Sequence, residues 1–338
     1  MTSLFATNNT KRWNSVSISG YHIREAGSTA TQELAFTLRD GMEYVEACMK
    51  RGLDVDTFAP RLSFFFNSHN EFFEEICKIR AARRIWSHAM RDRFGAKNER
   101  SLLMRTHVQT AGCSLTEQQP LNNIVRVAYQ AMAGVLAGCQ SLHTDSMDET
   151  LGLPTETAVR VALRTQQILA HETGVHRTVD PLAGSYFVES LTNQMEKDAN
   201  QIIDEIDGLG GVVQGIHKGY FRRSIAEASY RFGQELEAGD RIIVGVNAYL
   251  DGNEDTQVEL LQIPHEVETR QCERLDKVVN NRDNDAALQA LDGIRDTARS
   301  EENVMNSLVE ASLARCTLGE MVQAMADVFG RYSGGPEW

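Results

Sequence analysis

What the 338-residue sequence lacks sets its first limits. Its six cysteines, Cys48, Cys77, Cys113, Cys139, Cys272 and Cys316, form no Cys-x-x-Cys pair, which excludes a zinc knuckle or a thioredoxin-type redox motif. Dispersed single cysteines are expected to be reduced thiols in a cytoplasmic compartment. No run approaches the ~20 apolar residues of a membrane span, and the polar opening Met1–Asn9 carries no secretory apolar segment. Basic residues are in deficit: 34 Lys+Arg against 47 Asp+Glu gives a net charge of −13, a poor match to nucleic acid. A Gly-rich phosphate loop, a Gly-x-Ser-x-Gly elbow and a His-Glu-x-x-His helix are missing too. Gly208-Leu-Gly-Gly211 follows a helical pattern, and His171-Glu172 has its next histidine five residues on, past Gly174; no metal site is expected.

What is present is ordinary globular composition, 42% hydrophobic and 24% charged, long enough for one large domain or two smaller ones. The acidity is concentrated. From Asp251 onward there are 18 acidic and 8 basic residues, so the first 250 are nearly neutral and leave room for local basic groups facing an anionic ligand.

Four short β-rich runs stand out at residues 16–19, 62–66, 102–107 and 138–143, each followed by a helical pattern. Helices are predicted over 28–50, from an opening at 68–71, over 124–136 and over 155–170. Ser68-His-Asn-Glu71 reads as a capping box. The face Phe72, Ile76, Ile79, Ala82, Trp86 and Ala89 has helical spacing, and Lys78, Arg80, Arg83 and Arg84 read as its solvated side. Further helices are expected over 193–206 and 216–237, and Ile242-Ile-Val-Gly-Val246 reads as an extra strand. In the tail, Leu288, Leu291, Ile294 and Ala298 share a face, as do Met305, Leu308, Ser312 and Leu313. Thr317-Leu-Gly-Glu320 caps a last helix bearing Met321, Met325 and Phe329, and residues 333–338 read as a frayed end. Repeated strand–helix units predict α/β architecture with parallel strands. Four units are half of the eight in a (β/α)8 barrel.

Polar chemistry gathers near these runs. His22, His107 and His143 lie at the ends of three of them, and Arg61 and Ser63 open the second. A lone histidine there is commonly structural, and Arg61 either caps a strand end or grips an anion through its guanidinium fork.

The segment Asn14-Ser-Val-Ser-Ile-Ser-Gly-Tyr-His-Ile-Arg-Glu-Ala-Gly27 resembles the central signature of the adenosylcobalamin-dependent acyl-CoA mutases, the family of methylmalonyl-CoA mutase. The resemblance continues through Phe58-Ala-Pro-Arg-Leu-Ser-Phe-Phe65, Arg80-Ala-Ala-Arg83 with Trp86, and Arg105-Thr-His-Val-Gln-Thr-Ala-Gly112. It extends through Ser141-Leu-His-Thr-Asp-Ser146 with Asp148-Glu149, Asp180-Pro-Leu-Ala-Gly-Ser-Tyr186 and Val244-Gly-Val-Asn247. It implies the C-terminal half of a (β/α)8 TIM barrel over residues 1–175, a helical extension over 176–250 and an acidic helical tail over 251–338.

By the same resemblance, His22 is similar to the histidine that bonds the substrate thioester carbonyl. Arg61, Leu62 and Ser63 match the CoA-contacting stretch, and Arg12 stands where the family usually has a CoA-binding lysine. His107 and Gln109 match residues lining the substrate and adenosyl pocket, Glu149 the acid on the adenosyl ribose, and Tyr21 and Glu25 the cobalamin face. The implied activity is a radical 1,2-rearrangement interconverting methylmalonyl-CoA and succinyl-CoA. The isobutyryl-, ethylmalonyl- and 2-hydroxyisobutyryl-CoA mutases are alternatives, as is a non-catalytic homologue acting as an interaction protein. The Asp-x-His-x-x-Gly motif that supplies the lower cobalt ligand is absent. The implied partners are therefore an acyl-CoA substrate, an N-terminal barrel half and a small cobalamin-binding subunit, with self-association an open alternative and neither nucleic acid nor membrane expected.

Overall fold

The computed structural model describes residues 5–6, 9–10, 13–250, 252 and 258–332. Arg12 and the expected frayed end at 333–338 lie outside them. The chain forms two compact units, the first built on residues 14–261 and the second on the helices beyond 262.

The first unit is organised on a four-stranded parallel sheet in the order β1 (Val16–Ser19), β2 (Leu62–Ser68), β3 (Thr106–Thr110), β4 (Ser141–His143). Ser19 pairs with Phe65, Phe65 with His107 and His107 with Ser141, so one row crosses all four strands. The predicted strand–helix order is present, with shifted edges. The third strand starts at Thr106, because Glu99–Leu102 closes as a helical turn behind an Asn98 cap. The fourth is confined to Ser141–His143.

Between the strands run α1 (Tyr21–Glu25), α2 (Ala30–Lys50), α3 (Phe72–His88) and α4 (Asn122–Leu136), followed by α5 (Glu156–His171). The helix α2 opens with a capping box in which Thr29 and Gln32 satisfy each other's backbone donors, and Thr155 caps α5 by accepting from Ala158 N–H. Ile18, Phe64, Phe66 and Val108 are buried in the core with Trp86, Ile76, Ile79 and Leu38. Phe64 meets Trp86 edge-on at 4.7 Å. Gly41 lets α2 lie close here, since a Cβ at that position would come within 3.0 Å of the Phe64 ring.

Several expectations are corrected. Ser68 is the last residue of β2 and donates to the Gln130 carbonyl, and α3 starts after Glu71 without a side-chain cap, so the capping box there does not form. The basic residues of α3 are not a solvated face. Lys78 is fully buried between Glu33 and Glu75, Arg80 is tied to Asp180 and Glu189, Arg83 donates to the Ala137 carbonyl, and Arg84 pairs with Glu196. The reason is α6 (Tyr186–Leu209), which packs along α3 and supplies the carboxylates for Arg80 and Arg84. The segment at 242–246 makes only an isolated bridge, Val244 to Ala248, because the Asn247 side chain occupies the Ile243 N–H. The helix expected over 216–237 is two, α7 (Val212–His217) and α8 (Tyr220–Ala238), broken where Gly219 takes a φ of 67°.

The second unit contains α9 (His265–Asn281), α10 (Asn284–Arg299), α11 (Met305–Leu313) and α12 (Leu318–Phe329). Its core joins Ala287, Leu291, Ile294, Ala311, Cys316 and Ala324, with Leu308, Met321 and Met325 packed alongside. The capping box of Thr317 and Glu320 forms as expected. Leu288, Leu313 and Phe329 do not join the core; they are exposed, and the small residues Ala287, Ala311 and Ala324 take the interhelical positions. No helix among the described residues is long and apolar enough to cross a membrane.

Candidate active site

Alternation along the strands separates two faces of the sheet. Leu62, Phe64 and Phe66 of β2, Ile18 of β1 and Val108 of β3 turn into the helical core. The opposite face carries Ser17 and Ser19, Ser63, Phe65 and Asn67, His107 and Gln109, then Ser141 and His143. Serines, histidines, two amides and one aromatic make a polar face, unlike the apolar side that packs on the helices.

Its C-terminal rim is the densest part. Gly20 ends β1 by donating to the Phe65 carbonyl, and the chain turns at once into α1, which sets Tyr21, His22 and Glu25 over the sheet. Tyr21 stacks on Phe65 with centroids 4.8 Å apart, and His107 meets the same ring edge-on at 4.8 Å. His22 Nδ1 lies 2.9 Å from Ser19 Oγ, and His107 Nδ1 lies 2.7 Å from Ser141 Oγ. Gln109 donates to Tyr21 Oη at 3.0 Å and to Asp145 Oδ1 at 2.7 Å, while Thr110 donates to Asp145 Oδ2. Glu25 accepts from Asn67 Nδ2 at 2.6 Å and from the Cys113 N–H at 2.8 Å.

The electrostatics follow from this crowding. Burial, with the carboxylates of Asp145 and Glu25 nearby, pushes the Tyr21 phenol up, so it stays a neutral O–H. Burial likewise raises Glu25, Asp145 and Glu149, against hydrogen bonds that favour the charged form in the first two. Burial and the neighbouring His143 hold His107 below its usual range, so its imidazole is neutral at pH 7.

The structure thus brings Tyr21, His22, Glu25, His107, Gln109 and Glu149 to one end of the sheet. Arg61 and Ser63 stand at the other end of β2, with Ser63 donating to the Val16 carbonyl at 3.4 Å. Five residue steps from Leu62 to Asn67 span about 17 Å, so the two groups lie at opposite ends of the strand. Leu62 joins neither group; it is 3% exposed and packs in the helical core. Two rim residues, Phe65 and Asn67, are not among the candidates that sequence reasoning picks out, while Asp145 is reached only through the strand-end run His143-Thr-Asp-Ser146. The first two share the period-2 face with Ser63, a signal masked by the unbroken apolar run Phe64-Phe65-Phe66.

Residues 2–331 match the methylmalonyl-CoA mutase family. The chain belongs to that family. It is 49% identical over 328 residues to methylmalonyl-CoA mutase of Rhizobium meliloti (strain 1021), covering 96% of this chain and 46% of that protein. The methylmalonyl-CoA mutase of Escherichia coli (strain K12) is 45% identical over 329 residues, 97% of this chain and 46% of the relative. The mitochondrial methylmalonyl-CoA mutase of Homo sapiens is 46% identical over 323 residues, 95% and 43%. The chain spans less than half the length of these family members, and within that span its parallel sheet and following helices are those of half a TIM barrel.

Proposed function

We propose that this chain supplies one wall of an acyl-CoA mutase active site, in which methylmalonyl-CoA and succinyl-CoA are interconverted by a radical 1,2-rearrangement. The observation that carries this reading is the polar inner face of the sheet, continuous from Ser63 to Gln109 and crowned by Tyr21, His22 and Glu149. Family membership supports the assignment of roles.

His22 would donate to the thioester carbonyl. In the tautomer where Ser19 donates to Nδ1, the proton would sit on Nε2, where it would stabilise negative charge developing on that oxygen as the acyl group migrates. Arg61 and Ser63 would hold the CoA end, the guanidinium against phosphate and the hydroxyl as a lesser contact. Arg12 belongs to the same proposal by sequence. His107, neutral and steadied by Ser141, would line the acyl pocket without bringing in a charge.

The rim also suits the adenosyl part of adenosylcobalamin. Gly112 lies among three polar side chains: a Cβ there would sit 3.1 Å from Glu25 Oε2, 3.5 Å from Tyr21 Oη and 3.7 Å from Glu149 Cγ. The bare glycine keeps that space open, and these side chains match a hydroxyl-rich ribose. When bound, this cofactor supplies the radical through homolysis of its cobalt–carbon bond. Glu149 would take the ribose hydroxyls, Gln109 would fix the Tyr21 ring, and the Tyr21–Phe65 stack would exclude water from the reacting groups. The Asp-x-His-x-x-Gly motif is not found in this sequence, so in this reading the cobalt-ligating histidine would come from outside it, as on a cobalamin-binding subunit.

The test is reconstitution. The purified chain with adenosylcobalamin and methylmalonyl-CoA is expected to show no turnover, because half the barrel wall is outside it. Adding a family N-terminal half and a cobalamin-binding subunit is expected to give succinyl-CoA, and His22→Ala in that assembly to lower kcat by about 10²–10³. Failure of the assembly, or a full rate with His22→Ala, defeats the reading.

A further inference from the structure

The rim carboxylate of Glu25 is aimed from behind the sheet. The strand β1 ends at Ser19, opposite Phe65, and the Gly20 N–H closes its last bond to β2. The strand β2 runs on for three residues. Asn67, two positions beyond Phe65, turns its backbone N–H and C=O toward the side where β1 has stopped. A buried backbone pair without partners is costly, and here two side chains stand in for the missing strand. Glu33 Oε1 accepts the Asn67 N–H at 2.7 Å, and Lys78 Nζ donates to the Asn67 carbonyl at 2.9 Å. Glu33 and Lys78 are bonded to each other at 2.6 Å, and both are fully buried. Lys78 also holds Glu75.

The Asn67 side chain then reaches through to the ligand face, where its Nδ2 donates to Glu25 at 2.6 Å. Its Oδ1 is buried and has no partner, so on the amide only the Glu25 bond fixes which way it points. The rest of its placement comes from its backbone. We propose that Glu33 and Lys78 are positioning residues, whose buried pair anchors the end of β2 and, through Asn67, aims the Glu25 carboxylate into the mouth of the site. The structural anchoring stands on geometry alone; its consequence for cofactor binding rests on the function proposed above.

Two arms separate these. In the first, the chain is labelled with ¹⁵N-asparagine and the Asn67 side-chain amide is assigned by its loss in Asn67→Asp. A hydrogen bond to a charged carboxylate places one of its protons downfield, and Glu25→Gln is expected to move it upfield. Glu33→Leu removes the acceptor for the Asn67 N–H. It is expected to erase the downfield shift and speed exchange of that amide at least tenfold, with the other asparagine signals still dispersed. Glu33→Gln keeps an acceptor in place and is expected to retain the signal. Should Glu33→Leu not fold, Glu33→Asp draws the acceptor back by one methylene and is expected to accelerate exchange severalfold. An unmoved Asn67 signal in Glu33→Leu, or in Glu33→Asp if that variant must serve, overturns the proposal, as does equal loss in Glu33→Gln. In the second arm, Glu33→Asp in the reconstituted enzyme is expected to raise the cofactor KM by more than it lowers kcat. The first result without the second leaves the anchoring intact and counts against the role given to Glu25.

Discussion

Lys78 shows how far one residue's surroundings can depart from its sequence neighbours. It lies among Arg80, Arg83 and Arg84 on a helix with an apolar stripe, yet its ammonium has no exposure at all. Burial works against its charge, but the carboxylates of Glu33 and Glu75 outweigh that and raise its pKa, while burial drives Glu33 up despite the lysine. Such a cluster is fragile when only one member is removed. Lys78→Met would leave two carboxylates in a dry site, and the expected loss is about 3–5 kcal/mol, read as a lowered urea midpoint. A loss under about 1 kcal/mol would mean that the carboxylates escape to water.

Among the elements, the last helix is the clearest case of local chemistry closing a structure. Thr317 accepts from the Glu320 N–H, and Glu320 accepts from the Thr317 N–H at 2.7 Å. The same carboxylate takes Arg282 through both guanidinium nitrogens at 2.7 and 2.6 Å, tying α12 to the start of α10. The Arg282 hydrogen bonds, with the capping contacts, hold Glu320 down at about 2. A depressed folded-state pKa stabilises above the unfolded value near ~4.3 and loses that contribution as pH falls toward 2. The pair is partly solvated, so its worth is about 1 kcal/mol or less. Thermal melts followed by circular dichroism should therefore show Glu320→Gln less stable than the parent at pH 6 and equal to it near pH 2. A gap that persists at pH 2 would point to packing, not charge.

At the scale of the whole molecule, the decisive feature is a sheet with helices over one face and ligand-type side chains on the other. Its outer strands, β1 and β4, present edges without a neighbouring strand among the described residues. In the proposed assembly those edges pair with the N-terminal half of the barrel. Hydrogen exchange at residues 16–19 and 141–143 is then expected to slow at least tenfold when that half is added. Unchanged exchange at both edges would favour association through other surfaces and the non-catalytic alternative.

Much of this architecture is legible in the chain's local chemistry. The four strand–helix units follow from apolar period and helix starts, Thr317 caps where its side-chain oxygen predicts, and the motifs around His22, Arg105 and Ser141 identify the family. These are local signals, carried by residues close together in the chain. The corrections share an opposite character. The Ser68–Glu71 motif fits a capping box, but β2 needs Ser68, and 242–246 has β-rich composition without a neighbouring strand to pair with. Arg80 and Arg84 read as solvated until α6, over a hundred residues later, brings Glu189 and Glu196 to them. Leu62 and Ser63 are adjacent in the motif yet face opposite sides of the sheet. Sequence by itself determined most of the elements, the family and those rim residues that its motifs carry; tertiary structure decided which charges are buried, which face of β2 turns away from the helical core, and that Asn67 links the two. The physical reason is that backbone preference and amphipathic period are short-range properties, whereas the cost of a buried charge or unpaired backbone group is met only by partners that folding brings from elsewhere in the chain.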